Sequence, residues 1–243
     1  MSGLGQSGVA AVKWSAASTV IRFALQLAAQ VVLARTLGPD VFGIFAIGMV
    51  VLTFAAFFSN FGFSASLVLN KTLNEQDIRF AWTWQVIVGL LTMLAVYLLA
   101  PLLASYFREP RAQPVIEWLS VACLLTAAAA PASTLLQRDL NYRAIGLVQV
   151  ASYAAGYLVV GVPMALRGWG AYSLVAAWLV QAAVVLAASY ALKPHCLRPL
   201  FGYRDGASVV GVGRSVFLTN IVSWCLNNMN RTLSGCPAQR VRS

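Results

Sequence analysis

The sequence predicts an all-α fold, a polytopic transmembrane helix bundle of about six full spans and a partial seventh. Three observations predict it. Of 243 residues, 60% are hydrophobic and only 10% are charged, whereas a soluble domain uses roughly 25% charged residues to cover its water-facing surface. The apolar residues arrive in long blocks, and residues 118–137, 144–166 and 168–192 carry no charge at all. A helix rises about 1.5 Å per residue, so about 20 such residues cross a hydrocarbon core of about 30 Å. The blocks are joined by short connections that leave no room for a separate soluble domain.

The spans follow in order: residues 12–34, 41–69, 80–104, 115–136, 144–166 and 170–192, with 212–229 the start of a seventh. Their punctuation is chemical. Leu37-Gly38-Pro39-Asp40 stops one helix at Gly and starts the next with Pro and Asp near its N-cap. Thr72-Leu73-Asn74-Glu75 has the spacing of a capping box ahead of the third span. Arg108-Glu109-Pro110 and Leu192-Lys193-Pro194 end the third and sixth. Arg22 interrupts the first apolar stretch, which a cleavable signal peptide would leave uninterrupted, so the first helix is expected to stay in the mature protein.

The net charge of +10 does not mark a nucleic-acid binder, because the basic residues sit singly or in pairs between apolar blocks, as membrane-flanking anchors do. Placing the N-terminus inside puts Lys13, Lys71, Arg79, Arg138, Arg143, Lys193, Arg198, Arg204 and Arg214 on the inner side. Only Arg35, Arg108, Arg111 and Arg167 then fall outside, and this excess predicts a cytoplasmic N-terminus. Trp82, Trp84, Trp118, Trp169 and Tyr172 fall near span ends, where interface belts form. Cys123, Cys196, Cys225 and Cys236 lack metal spacing, and His195 has no second His and no close carboxylate beside it. No metal and no cofactor are expected. The sequence holds no nucleophile–base pair, Gly-rich phosphate loop or paired carboxylates, so an enzyme is not expected.

The first span carries the chemistry. Ser15, Thr19, Arg22, Gln26 and Gln30 recur at three- and four-residue spacing and share one helix face, while Val20, Phe23, Leu27 and Val31 lie opposite. A charge near mid-bilayer costs at least about 2.5–3.5 kcal/mol on insertion scales, so this stripe should face protein or a water-filled cavity. The alternative is a snorkelling Arg22, or one paired structurally with a carbonyl. A cationic, hydrogen-bonding cavity suits an anionic ligand, because the guanidinium fork matches phosphate oxygens and keeps its charge. In the second span, Asn60 and Ser64 share a face beside Gly62, and serve either an interhelical hydrogen bond or the same cavity. Ser152 and Gly156 in the fifth span have the small-xxx-small spacing of helix packing.

Three stretches resemble bacterial polysaccharide exporters and oligosaccharide flippases, the group that includes colanic acid and O-antigen exporters. They are Val12-Lys13-Trp14-Ser15-Ala16 leading into Val32-Leu33-Ala34-Arg35-Thr36-Leu37-Gly38-Pro39-Asp40-Val41-Phe42-Gly43, then Phe58-Ser59-Asn60-Phe61-Gly62-Phe63-Ser64-Ala65-Ser66-Leu67, then Leu136-Gln137-Arg138-Asp139-Leu140-Asn141-Tyr142-Arg143-Ala144-Ile145-Gly146. The resemblance implies a transporter of two pseudo-symmetric six-helix lobes in the inner membrane. It would move undecaprenyl-diphosphate-linked oligosaccharide between leaflets by ion-driven alternating access, with membrane lipids around it. It implies that Arg22 holds the diphosphate, with Gln26 and Gln30 as donors and Asn60 and Ser64 beside the cavity. Asn60 stands where similar members often carry Asp, which bears on charge coupling there.

Family chains are roughly twice this length, as paired repeats require. The sequence is therefore expected to divide into a six-helix N-terminal lobe over residues 1–192, a cytoplasmic linker over 193–213, a partial seventh span over 214–230 and an aberrant basic tail over 231–243. On this expectation the chain is truncated and needs a second lobe or chain. Two other readings stand beside it: an inactive membrane fragment of such a flippase, and a drug/cation antiporter. An antiporter should place acids within its spans, and this sequence has none deep in a span.

Overall fold

The computed structural model describes residues 2–59, 75–139, 141–194 and 200. They form five long helical elements and, among the described residues, no strand: α1 (Ser2–Ser59), α2 (Glu75–Tyr106), α3 (Ala112–Arg138), α4 (Tyr142–Leu166) and α5 (Ala171–Leu192). Each contains a stretch apolar enough to span a bilayer, and that in α1 runs for 41 residues, Ala16–Ala56. This is twice the length one crossing needs.

The α1 element is two helices joined at a kink. Gly38 has φ 74° and ψ 170°, a backbone open to glycine and strained for any residue with a Cβ. Pro39 then opens the second helix, where its missing N–H costs nothing. We denote the halves α1a (residues 2–37) and α1b (residues 39–59). Counting them separately restores six crossings, with the break at the Gly-Pro pair the sequence marks. The third to sixth spans match their expected limits to within a few residues. The second is described only to Ser59, and the capping-box residues 72–74 lie outside the described residues, as does everything from 201 on.

The third helix is the centre of the bundle, packing against α1, α2 and α5. Its buried face includes Val115, Ile116, Leu119, Ala122 and Cys123, and it meets Val51, Leu52 and Ala55 of α1b and Val96 and Ala100 of α2. Cys123 is therefore the small apolar packing residue the sequence implies. Apolar area alone does not hold helices together in lipid, since lipid tails are as apolar as Leu; close packing must do so. The glycines show where it happens. A Cβ on Gly89 would collide with Ala127, and one on Gly156 with the Ala177 carbonyl, so α2–α3 and α4–α5 touch backbone to backbone there. Ser152 is fully buried one turn before Gly156, and its hydroxyl donates to the Gln149 carbonyl. The packing role expected of that pair is what the structure shows.

The middle of α4, Ala154–Gly161, is wound as a π-helix, a feature with no signature in the sequence. At its start Tyr153 and Tyr157 stack at 4.5 Å and 12°. Helix connectivity brings the N-terminus of α2, the C-termini of α3 and α5 and the N-terminus of α4 to one end of the bundle. There Lys193 pairs with Asp139, and the Leu200 backbone N–H donates to Thr83 Oγ1 at 3.0 Å. Arg79, Arg138, Arg143 and Lys193 share this end, while Arg35, Arg108, Arg111 and Arg167 share the other. Trp118, Trp169 and Tyr172 are exposed near helix ends, as interface aromatics should be. Trp82 and Trp84 are not: their indole nitrogens are buried, and Trp84 packs at 6.1 Å from Phe80. Trp84 packs with Leu200 around the buried Phe80 and Ala81.

A candidate anion site on the α1–α4 seam

The polar stripe of α1a runs along the edge of its contact with α4. Three contacts set that seam, at positions 14, 18 and 22 of α1a against 143, 146 and 149 of α4. The Arg143 guanidinium lies over the Trp14 ring, 4.9 Å from its centroid. Gly146 leaves the room that Ser18 fills, since a Cβ there would clash with the Ser18 side chain. Arg22 Nη1 donates to Gln149 Oε1 at 3.2 Å. A four-residue step on one helix against a three-residue step on the other keeps both sets of side chains in register along the seam. Beyond Arg22 the contact turns apolar, with Ala29 and Leu33 packed on Tyr153, Tyr157 and Ala177.

The five residues expected to line a cavity fall differently. Arg22 and Gln26 are half-buried and Gln30 is exposed. Successive residues turn by about 100° around a helix, which sets the stripe about 50° from the centre of the Ser18–Ala29–Leu33 face. Arg22 belongs to both faces, Gln26 lies at the margin of the contact and Gln30 farther round, on the exposed side. Neither glutamine has a side-chain hydrogen bond among the described residues. Val20, Phe23, Leu27 and Val31 are all exposed on the far side, as the helix pattern predicts. Asn60 and Ser64 lie outside the described residues.

The partner of Arg22 is a side-chain amide from α4, not a backbone carbonyl. Gln149 was not singled out by sequence reasoning, which looked for charge in the charge-free block 144–166. Its signal was available: it is the one amide in that block, three residues from Gly146 and three from Ser152. The consequence is electrostatic. Among the described residues no carboxylate pairs with Arg22 or with Arg143, since one is held by an amide and the other by a ring. Asp139, the acid nearest Arg143 in sequence, is committed to Lys193. Neutral partners satisfy guanidinium donors without cancelling the charge, and so leave an attraction for anions.

A cavity of about 670 Å³ opens between α1b and α2. It is lined by Val50, Phe54, Leu91, Ala95, Leu99 and Tyr106 among others, and Arg22, Gln26 and Gln30 are not among its lining residues. Its walls offer no charge.

The fold and seam together define a class: a multi-pass, all-helical membrane protein with two guanidinium groups along one helix–helix seam. Comparison with known proteins narrows it. The polysaccharide biosynthesis protein family matches residues 32–237, and the chain belongs to that family. It is 28% identical over 154 residues to the lipopolysaccharide biosynthesis protein WzxC of Escherichia coli (strain K12), covering 63% of this chain and 31% of that protein. It is 28% identical over 190 residues to the succinoglycan biosynthesis transport protein ExoT of Rhizobium meliloti (strain 1021), covering 78% of this chain and 38% of that one. The matched stretch thus spans about a third of the length of these curated relatives. No solved structure matches the chain.

Proposed function

We propose that this chain forms the N-terminal lobe of a transporter that carries undecaprenyl-diphosphate-linked oligosaccharide across the bacterial inner membrane for polysaccharide biosynthesis. Its N-terminus is cytoplasmic, and it works with a second lobe or chain. The observation that carries the reading is Arg22, a half-buried guanidinium at the edge of the α1–α4 seam held by the neutral Gln149 amide. A diphosphate supplies the anionic oxygens such a cation lacks, and the fork of Arg matches them. Gln26 and Gln30 present their amides beside it with no competing side-chain partner among the described residues. The family, and the relatives named for lipopolysaccharide biosynthesis and succinoglycan transport, support the direction of this reading. Asn60 and Ser64 belong to the same proposal through the resemblance of their segment.

Mechanistically, the lobe would hold the charged head while the lipid tail stays among the bilayer chains. A phosphate that replaces Gln149 on Arg22 exchanges a cation–amide hydrogen bond for a cation–anion one, adding direct charge attraction and a second oxygen for the guanidinium fork. The test is export in a bacterial host. Arg22→Ala is expected to lower polysaccharide export about 10-fold or more, the loss of a charged hydrogen bond of about 1.5–3 kcal/mol, with membrane insertion unchanged. Arg22→Lys should restore part of it if charge alone matters, and none if the fork does. Normal export by Arg22→Ala would remove Arg22 from the site.

A further inference from the structure

We propose that Arg143, seated over Trp14, is a second anion-binding station on the α1–α4 seam, at which a diphosphate head group docks before it reaches Arg22. The inference rests on the reading above and adds a residue, a location and an order of events.

The seam itself makes the case. Arg143 and Arg22 lie on facing helices in the same line of contacts. Trp14 and Arg22 are eight residues apart on one helix, so the two guanidinium sites are about 12 Å apart along it. Both cations are fixed by neutral partners, and no acid lies between them on either strand of contacts: positions 14, 18 and 22 are Trp, Ser and Arg, and 143, 146 and 149 are Arg, Gly and Gln. The ring holds the Arg143 guanidinium over the seam through its face, and among the described residues no hydrogen bond occupies its donors. Arg143 also stands in the first turn of α4, whose N-cap Asn141 accepts from the Ala144 N–H. The positive end of the helix dipole adds to the same field.

The two stations differ in setting, and that sets their roles. Arg143 is exposed at the end of the bundle, where its field reaches into water and salt screens it. Arg22 is half-buried and two turns deeper, where screening is weaker. An exposed rim charge acts on association rate and salt dependence, whereas a desolvated one acts on dissociation. Arg143 is thus the capturing station and Arg22 the holding one.

The experiment uses the full chain in phosphatidylcholine nanodiscs, with farnesyl diphosphate as the probe and uncharged farnesol as the control. Arg143→Gln is expected to lower the association rate about 3- to 10-fold at low salt, flatten its salt dependence and change dissociation by less than about twofold. Arg22→Gln is expected to do the reverse and raise dissociation about 10-fold or more. If Arg22→Gln weakens binding while Arg143→Gln leaves rate and salt dependence as they were, the docking station is wrong and the function stands. If neither substitution matters, or farnesol binds as tightly as the diphosphate, the anion-transport reading itself fails. Should Arg143→Gln fold poorly, Arg143→Lys decides: it keeps the charge and should keep the association rate, so a loss of the same size assigns Arg143 to packing and overturns the proposal.

Discussion

The two halves of the first element, joined at Gly38, are built on opposite principles. The α1a half meets α4 through a ring, a hydroxyl and a guanidinium, each with a named partner. In α1b, residues 41–58 offer a single polar side chain, Thr53, and its hydroxyl turns back onto the Met49 carbonyl of its own helix. That half meets α2 and α3 through Val51, Leu52 and Ala55, and beside them leaves an apolar cavity. In lipid an apolar contact gains little over a contact with lipid chains. Shape alone therefore positions α1b, and a lipid chain can stand in for a missing side chain. A cation in the same environment must find a partner. The polar half is consequently the specific one, and the place to look for function.

This contrast predicts a graded response to substitution. The largest effect on stability should come from Gly146→Leu, which drives a side chain into Ser18 and pushes α1a off α4. We expect about 3 kcal/mol, read as a lower melting temperature in detergent and loss of a single elution peak. A melting temperature within a degree of the parent would mean that the seam does not hold the helices.

Next is Gln149→Leu, which deprives Arg22 of its acceptor. In a cycle with Arg22→Ala, the coupling is expected at about 0.6 kcal/mol and no more than about 1.7, the range of side-chain hydrogen bonds between membrane helices. Additive effects would show that the bond contributes nothing.

The smallest effect belongs to the apolar half. Gly48→Ala places its methyl against Leu119 Cδ1, the far end of a flexible side chain, and close to Val115 Cγ1, so a small shift of both is needed. It should cost less than about 1 kcal/mol in the same melt, and a drop as large as that of Gly146→Leu would erase the distinction between the halves.

The comparison also shows what a sequence discloses in lipid. Span limits were legible because the bilayer demands a fixed apolar length and cannot hide a charged break. The Gly38-Pro39 joint was legible because only a residue without a Cβ adopts its backbone at low cost, and only Pro makes use of the next position. Arg22 was legible as an outlier in its surroundings. Gln149 was not, because an amide breaks no hydropathy rule; only the helix register against α1a gives it meaning. Trp82 and Trp84 misled for a related reason. Their positions near a span end are the same whether the indole nitrogen meets head groups or is covered by the rest of the bundle, and the packing around it decides. The π-turn in α4 lies where Gly156 and Gly161 meet Ala177 of α5, a contact that local sequence does not encode.

The central claim, that the polar face of α1a meets water while α1b meets lipid, is tested most directly by thiol labelling. In a background with Cys123, Cys196, Cys225 and Cys236 replaced, single cysteines at Gln26, Gln30, Val50 and Phe54 would be exposed to a charged, membrane-impermeant thiol reagent in intact membranes. The account predicts rapid labelling of Gln26→Cys and Gln30→Cys, slowed by farnesyl diphosphate, and none at Val50→Cys or Phe54→Cys. Labelling at positions 50 and 54 with silence at 26 and 30 would contradict it, because the polar stripe would then face protein or lipid and no anion could reach Arg22.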